Sequence, residues 1–143
     1  MLNHALILVA EDEPLIALDV ALAIGDAGGK VAGPAASVKE ALDMIETRPI
    51  VAAILDINLT DGDIWPVAER LIVAGIPIIL QTGIGLSAKL AARFPDLVVQ
   101  IKPCLAANLV VQLVALIADH QMAKTLRPNS AGQAAGSPRG QSR

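Results

Sequence analysis

Polar residues that can bind cations or phosphate stand directly after four apolar runs of the sequence. The run LILVA is followed by Glu11 and Asp12, and the run VAAIL is followed by Asp56. Two later runs, IPIILQ and LVVQI, are followed by Thr82 and Lys102. Carboxylates that crowd together raise one another's pKa unless a cation stabilises their charged forms. A fold that gathers these residues would therefore create a cation site.

The residue types in this set favour phosphoryl chemistry beside a metal ion. Clustered carboxylate oxygens are typical ligands of a hard cation, for which Mg²⁺ is the first candidate and Mn²⁺ a substitute. A lysine ammonium and a threonine hydroxyl opposite that cation suit a phosphoryl group. The sequence has no GxxxxGK[ST] loop and no GxGxxG after the first run, so a nucleotide is not expected. We therefore expect a carboxylate to accept the phosphoryl group itself.

Five short apolar runs alternate with segments of helical period, which predicts an α/β fold. All runs except the second are nearly continuous in apolar residues, as in strands buried on both faces of a parallel sheet. The strands are predicted at residues 5–10, 30–36, 51–56, 76–81 and 97–101. The carboxyl ends of parallel strands share one edge of the sheet, so the polar residues should converge there.

Capping signals and apolar stripes predict a helix after each strand. The N-terminal signals of the first three helices are Pro14, a capping box from Ser37 to Glu40 and a second box formed by Thr60 and Asp63. The first helix should end near residue 27, before Gly28-Gly29. The last two helices are predicted at residues 86–94 and 107–122.

Composition predicts one folded domain and a tail. The 143 residues suffice for one core. Near the end of the sequence the composition changes to mainly Pro, Gly, Ser, Gln, Ala and Arg. We expect a domain over residues 1–124 and a disordered basic tail over 125–143. All fourteen acidic residues lie before residue 120, so the domain offers no basic face for nucleic acid.

Other features of the sequence favour the cytoplasm. We find no secretion signal and no apolar stretch near the roughly 20 residues that cross a bilayer, so we expect no membrane association. Cys104 is the single cysteine, which excludes an internal disulfide and makes a reducing compartment the default.

Four motifs in order carry a resemblance to a known family. They are VAEDE after the first strand, LDINL at the end of the third, TG after the fourth and KP after the fifth. The chain resembles the receiver domains of two-component response regulators over residues 5 to about 120. The resemblance implies a flavodoxin-like (βα)₅ fold, a doubly wound parallel five-stranded sheet with strand order 2-1-3-4-5.

The resemblance also implies the role of each site residue. Asp56 would accept a phosphoryl group from a phosphohistidine of a histidine kinase or histidine phosphotransfer protein, by in-line transfer. Thr82 and Lys102 would each contact a phosphoryl oxygen. The implied Mg²⁺ ligands are the side chains of Glu11, Asp12 and Asp56 and the backbone carbonyl of Asn58.

The resemblance further implies how such a protein signals. It would catalyse only its own phosphorylation and dephosphorylation, so it is not expected to be an enzyme with an outside substrate. Since no output domain follows, we expect a stand-alone receiver, or one excised from a larger protein. It would contact a downstream protein target through its fourth helix, fifth strand and fifth helix, as a monomer or weak dimer.

Two other functions remain open at the level of sequence. The family usually has an aromatic residue three places before the lysine, where this chain has Val99, so a receiver that binds partners without phosphorylation is one alternative. The less favoured alternative is a Mg²⁺-dependent phosphatase-like enzyme. Such enzymes commonly need a second aspartate two residues after the nucleophile, and that position holds Asn58.

Overall fold

The computed structural model describes residues 1–126, which form a five-stranded parallel sheet with helices on both faces. The sheet strands are β1 (Leu6–Ala10), β2 (Lys30–Ala35), β3 (Ala52–Asp56), β6 (Ile78–Thr82) and β7 (Val98–Ile101). Their spatial order is β2-β1-β3-β6-β7. Since β6 and β7 are the fourth and fifth strands of this sheet along the chain, the order is the predicted 2-1-3-4-5, and the flavodoxin-like fold class is confirmed. The numbering skips because β4 (Asn58–Leu59) and β5 (Gly62–Asp63) pair as a separate antiparallel hairpin.

The helices follow the predicted positions closely. They are α1 (Pro14–Asp26), α2 (Val38–Thr47), α3 (Trp65–Val73), α4 (Ala88–Arg93) and α5 (Ala106–Leu126). Pro14 occupies the first turn of α1, where its missing N–H costs no hydrogen bond. Gly28 follows that helix with a φ of 86°, a conformation that glycine adopts without strain.

Helix α5 is longer than the sequence pattern predicted. It continues to Leu126, beyond the predicted end at residue 122 and two residues past the predicted domain boundary. The remaining residues of the predicted tail, 127–143, lie outside the described part of the chain. By length and composition alone α5 could cross a membrane, but the core helix of a soluble protein passes the same test. Its buried residues Leu109, Leu113 and Ile117 belong to the core beside α1.

The core has two layers, one on each face of the sheet. Leu8, Leu55 and Leu80 point toward α2 and α3, whereas Ile7, Ile54 and Ile79 point toward α1 and α5. Successive strand residues alternate between the two layers because strand side chains point to opposite faces. Both layers are apolar, which explains why the sheet strands read as continuous apolar runs. The burial of β1, β3 and β6 fixes the positions of their carboxyl ends.

The predicted capping box before α2 is present in part. The Ser37 hydroxyl oxygen accepts from the Glu40 N–H at 3.1 Å, as in a standard N-cap. The Glu40 carboxylate accepts from the N–H of Ala36 at 3.0 Å, one residue before the cap. Asp61 adds a cap that the sequence did not reveal, because its carboxylate accepts from the N–H of Val38 at 2.7 Å. That hydrogen bond lowers the pKa of Asp61.

The predicted capping box before α3 is wrong. The Thr60 hydroxyl donates to the carbonyl of Ala36 at 3.0 Å, and Asp63 accepts from the N–H of Trp65 at 2.7 Å. Ile64 is the residue at the N-cap position. Thr60 therefore contacts the segment before α2 and Asp63 the first residue of α3, so the two residues do not cap α3 reciprocally.

Candidate functional site

Three carboxylates meet at the carboxyl edge of the sheet, where β1 and β3 end side by side. Glu11 and Asp12 follow β1, and Asp56 is the last residue of β3. One oxygen from each of these three side chains lies within 4.8 Å of the other two. Glu11 and Asp56 are 2% and 7% exposed, whereas Asp12 is partly open to solvent. The structure thus gathers the three acids whose convergence the parallel sheet predicted.

Lys102 bridges two of these acids from the end of β7. Its ammonium donates to Glu11 Oε1 and to Asp56 Oδ2, both at 3.0 Å. Partial burial lowers the pKa of Lys102, but the hydrogen bonds to Asp56 and Glu11 outweigh burial and raise the pKa overall. The ammonium therefore stays charged and partly neutralises the acid cluster.

One lysine does not offset the charge of the whole cluster. Burial raises the pKa of Glu11 to about 7, opposed by the hydrogen bond from Lys102 and reinforced by the neighbouring Asp56. The N–H of Glu13 donates to Glu11 Oε2 at 3.2 Å, which stabilises the charged form. Burial thus outweighs the stabilisation that the Lys102 ammonium gives to the charged form of Glu11. A bound cation would further stabilise that charged form.

The donors at this edge fit a hard divalent cation. Three carboxylate groups lie within reach of one point, and carboxylate oxygens are what Mg²⁺ and Mn²⁺ prefer. The partly exposed Asp12 leaves one side of the cluster open to water, which Mg²⁺ usually retains. Asn58 lies beside the cluster, because its N–H donates to Asp56 Oδ1 at 3.3 Å. The predicted use of the Asn58 carbonyl as a metal ligand stays a prediction.

Thr82 ends β6 next to the cluster, but its hydroxyl is engaged elsewhere. The side chain is 1% exposed, and its hydroxyl oxygen accepts from the N–H of Ile84 at 3.3 Å. The hydroxyl also lies 3.5 Å from the carbonyl oxygen of Gly85, to which it can donate. Within the described residues, then, Thr82 bonds to its own loop, and it must exchange partners to serve a ligand at Asp56.

Gln81 and Cys104 are polar residues at this edge to which sequence reasoning gave no role. Gln81 lies opposite Asp56 in the register of β3 and β6 and is 1% exposed. The Cys104 thiol donates to Gln81 Oε1 at 3.6 Å, a distance suited to sulfur. Within residues 1–126 the Gln81 amide nitrogen is buried without a hydrogen-bond partner. The available signal was a glutamine at the end of an otherwise apolar run.

Comparison with solved structures shows what the fold and site resemble. The chain is 28% identical to a response regulator receiver protein from Sinorhizobium medicae, with a TM-score of 0.70, covering 84% of this chain and 99% of that one. It is 35% identical to SdrG from Sphingomonas melonis, with a TM-score of 0.68, covering 82% and 99%.

A more distant structure gives the same fold. A CheY-like response regulator receiver domain protein from Methanospirillum hungatei is 22% identical, with a TM-score of 0.72, covering 82% of this chain and 97% of that one. No protein-family model and no curated protein matches the chain. The sheet order, the acid cluster at its carboxyl edge and these structural relatives lead to one identification: the chain belongs to the response regulator receiver family.

Proposed function

We propose that the chain accepts a phosphoryl group on Asp56 in a Mg²⁺-dependent reaction. The observation that carries this proposal is the close grouping of Glu11, Asp12 and Asp56 with Lys102 hydrogen-bonded to two of them. The donor would be a phosphohistidine on a histidine kinase or histidine phosphotransfer protein, as family membership suggests. One cysteine and an acidic domain are consistent with a cytoplasmic protein that does not bind nucleic acid.

The transfer exchanges one bond to phosphorus for another. An Asp56 carboxylate oxygen attacks the phosphorus, the bond from phosphorus to the donor imidazole breaks, and the imidazole nitrogen takes the leaving electron pair. Mg²⁺, held by Glu11, Asp12, Asp56 and the Asn58 carbonyl, would supply positive charge to the phosphoryl oxygens. The reaction modifies the protein itself, so it is self-modification and not turnover of an outside substrate.

Lys102 and Thr82 would hold the phosphoryl group after transfer. The Lys102 ammonium lies 3.0 Å from Asp56 Oδ2 and can move to a phosphoryl oxygen on the same carboxylate. The Thr82 hydroxyl can give up its contacts with Ile84 and Gly85 and donate to a second phosphoryl oxygen. Since residues 83–87 join Thr82 to α4, this exchange would release the loop that positions α4.

The output surface would be the face formed by α4, β7 and α5. Every residue of α4 is at least partly exposed, so little burial opposes its displacement. Ile101 on β7 and Leu105 just before α5, 53% and 69% exposed, would offer apolar contacts to a downstream protein. Val99 stands where the family usually has an aromatic residue, which keeps open the alternative of a receiver that binds partners without phosphorylation, although the complete set of acceptor-site residues argues against it.

Calorimetric titration with Mg²⁺ tests the metal part of the proposal. We expect uptake of one ion by the unmodified chain and a large loss of affinity in Asp12→Asn. Asp26→Asn is the matched control, since Asp26 is an exposed aspartate at the end of α1, outside the cluster. Equal affinities in the two variants, or no binding by the unmodified chain, would refute the proposed site.

A further inference from the structure

A cavity of about 450 Å³ lies between α1 and the segment that follows β7. Its walls include Ile16 and Val20 from α1, and Lys102 and Cys104 from the segment after β7. Gln81 lies at the inner wall and is 1% exposed. This is the one place in the described residues where a buried uncharged amide adjoins both the acid cluster and the segment that carries Lys102.

Gln81 makes contacts on both sides of the site. Its carbonyl oxygen on the main chain accepts from the N–H of Ile57 at 3.0 Å, immediately after Asp56. Its side-chain Oε1 accepts from the Cys104 thiol at 3.6 Å, two residues after Lys102. Burial raises the pKa of that thiol, so the sulfur keeps the proton that it donates. One residue therefore connects the backbone next to the phosphoacceptor with the segment that holds the lysine.

Packing alone does not explain an amide at this position. Within residues 1–126 the Gln81 Nε2 is buried without a hydrogen-bond partner, and such a group destabilises a folded protein. A leucine of similar size would fill the same space, beside Ile16, Val20 and Leu109, without that penalty. Within those residues, the one hydrogen bond of the Gln81 side chain is the contact of Oε1 with the Cys104 thiol.

We propose that Gln81 and Cys104 are positioning residues that hold Lys102 against Asp56. The inference rests on the proposed function, since it gives the pair a role in phosphoryl transfer. Without the thiol contact, the segment after β7 would keep the backbone hydrogen bond from the Lys102 N–H to the Thr82 carbonyl, at 2.8 Å. The side-chain hydrogen bond from Cys104 to Gln81 of β6 would be lost, and the Lys102 ammonium would sample a wider range of positions.

The test compares phosphorylation rate with stability in matched variants. For Gln81→Leu we expect the rate with acetyl phosphate and Mg²⁺ to fall about fivefold, the factor that one neutral hydrogen bond is worth. Its free energy of unfolding should be unchanged or higher, and its Mg²⁺ affinity unchanged. Ile79→Val, on the same face of β6, should lose stability and keep the rate.

Variants at Cys104 test the hydrogen bond without altering the buried amide. Cys104→Ser keeps a donor and should phosphorylate near the wild-type rate, whereas Cys104→Ala should be about as slow as Gln81→Leu. The double variant Gln81→Leu/Cys104→Ala should be no slower than either single variant, because one contact is lost in all three.

The outcomes separate this inference from the proposed function. A wild-type rate in Gln81→Leu, equal rates in the serine and alanine variants, or a rate loss that follows stability would overturn the positioning role and leave Asp56 as phosphoacceptor. Absence of any phosphoryl uptake by the wild-type chain would instead refute the proposed function and this inference with it.

Discussion

The core and the carboxyl edge of the sheet meet within a single strand, and they obey different rules. Ala52 to Leu55 of β3 are buried among apolar neighbours, and Asp56, the next residue, is buried among charges. Core residues stabilise the fold by removing apolar surface from water. At the edge, burial raises the pKa of Glu11 despite the hydrogen bond from Lys102, so the charged form of this carboxyl is buried at a cost. Apolar residues below the edge thus build the core, whereas the charged residues at the edge form the candidate site.

The largest expected effect on stability lies in the core. Leu71→Ala on α3 should lower the free energy of unfolding by about 2–5 kcal/mol, because it opens a cavity at a fully buried site. Urea unfolding measures the change. Val73→Ala on the same helix, where the side chain is 87% exposed, should change stability by less than about 0.5 kcal/mol. If the Leu71→Ala protein is still fully folded and yet is not phosphorylated, core residues and edge residues do not have the separate roles described above.

The largest expected effect on chemistry lies at the edge. If Asp56 accepts the phosphoryl group as proposed, Lys102→Met should slow phosphorylation by acetyl phosphate about 100-fold, since it removes a preorganised positive group from beside Asp56. The rate is followed by intact mass against time. Lys89→Met is the control, because Lys89 is an exposed lysine on α4. A wild-type rate in Lys102→Met would show that the ammonium has no part in the transfer.

The stability of the metal-free protein should depend on pH because a carboxyl group is buried at the edge of the sheet. The folded-state pKa of Glu11 is raised from 4.5 to about 7, chiefly by burial, so between these values the folded chain binds more protons than the unfolded chain. Stability should therefore fall as pH rises from about 5 to 8. The proposed Mg²⁺ site requires the ionised carboxyl, so added Mg²⁺ should stabilise the folded chain more at pH 8 than at pH 6.

Glu11→Gln provides the control for this pH effect, because the amide does not titrate. The variant should lose the fall in metal-free stability between pH 5 and 8. Thermal melts of both proteins across this range measure it. A fall of equal size in Glu11→Gln would assign the pH dependence to other groups.

The smallest effect is expected where neither core nor edge is involved. Ser37→Ala removes the N-cap of α2 and should cost about 1 kcal/mol without changing the phosphorylation rate. Ser87 caps α4 in the same way, but none of that helix's own residues is fully buried. Ser87→Ala should therefore leave global stability unchanged in urea unfolding. A larger loss in Ser87→Ala than in Ser37→Ala would mean that α4 contributes more to the fold than its burial indicates.

Much of the fold was predictable because apolar runs mark buried strands directly. The five sheet strands and their order follow from the pattern and the family resemblance, and each strand begins and ends within two residues of its predicted limits. The β4–β5 hairpin was not predicted, since each of its strands has two residues and carries no periodic signal. Thr60 and Asp63 fit a capping pattern locally, but Thr60 bonds to Ala36 before α2 and Asp63 to Trp65 at the start of α3.

The candidate site divides in the same way. The gathering of Glu11, Asp12 and Asp56 follows from strand ends in a parallel sheet, so spacing along the chain was enough to predict it. The hydrogen-bond partners of the Thr82 hydroxyl depend on the loop at Ile84 and Gly85. No periodic pattern of apolar residues predicts the conformation of that loop. The contact between Gln81 and Cys104 joins residues 23 positions apart, and only the folded chain reveals it.

The most direct measurement is intact mass after incubation with acetyl phosphate and Mg²⁺. We expect the wild-type chain to gain one phosphoryl group, and we expect the gain to disappear with a chelator or in Asp56→Asn. Asp61→Asn should keep the gain, because Asp61 caps α2 outside the acid cluster. No gain in the wild-type chain, or a gain that persists in Asp56→Asn, would contradict Asp56 as the phosphoacceptor.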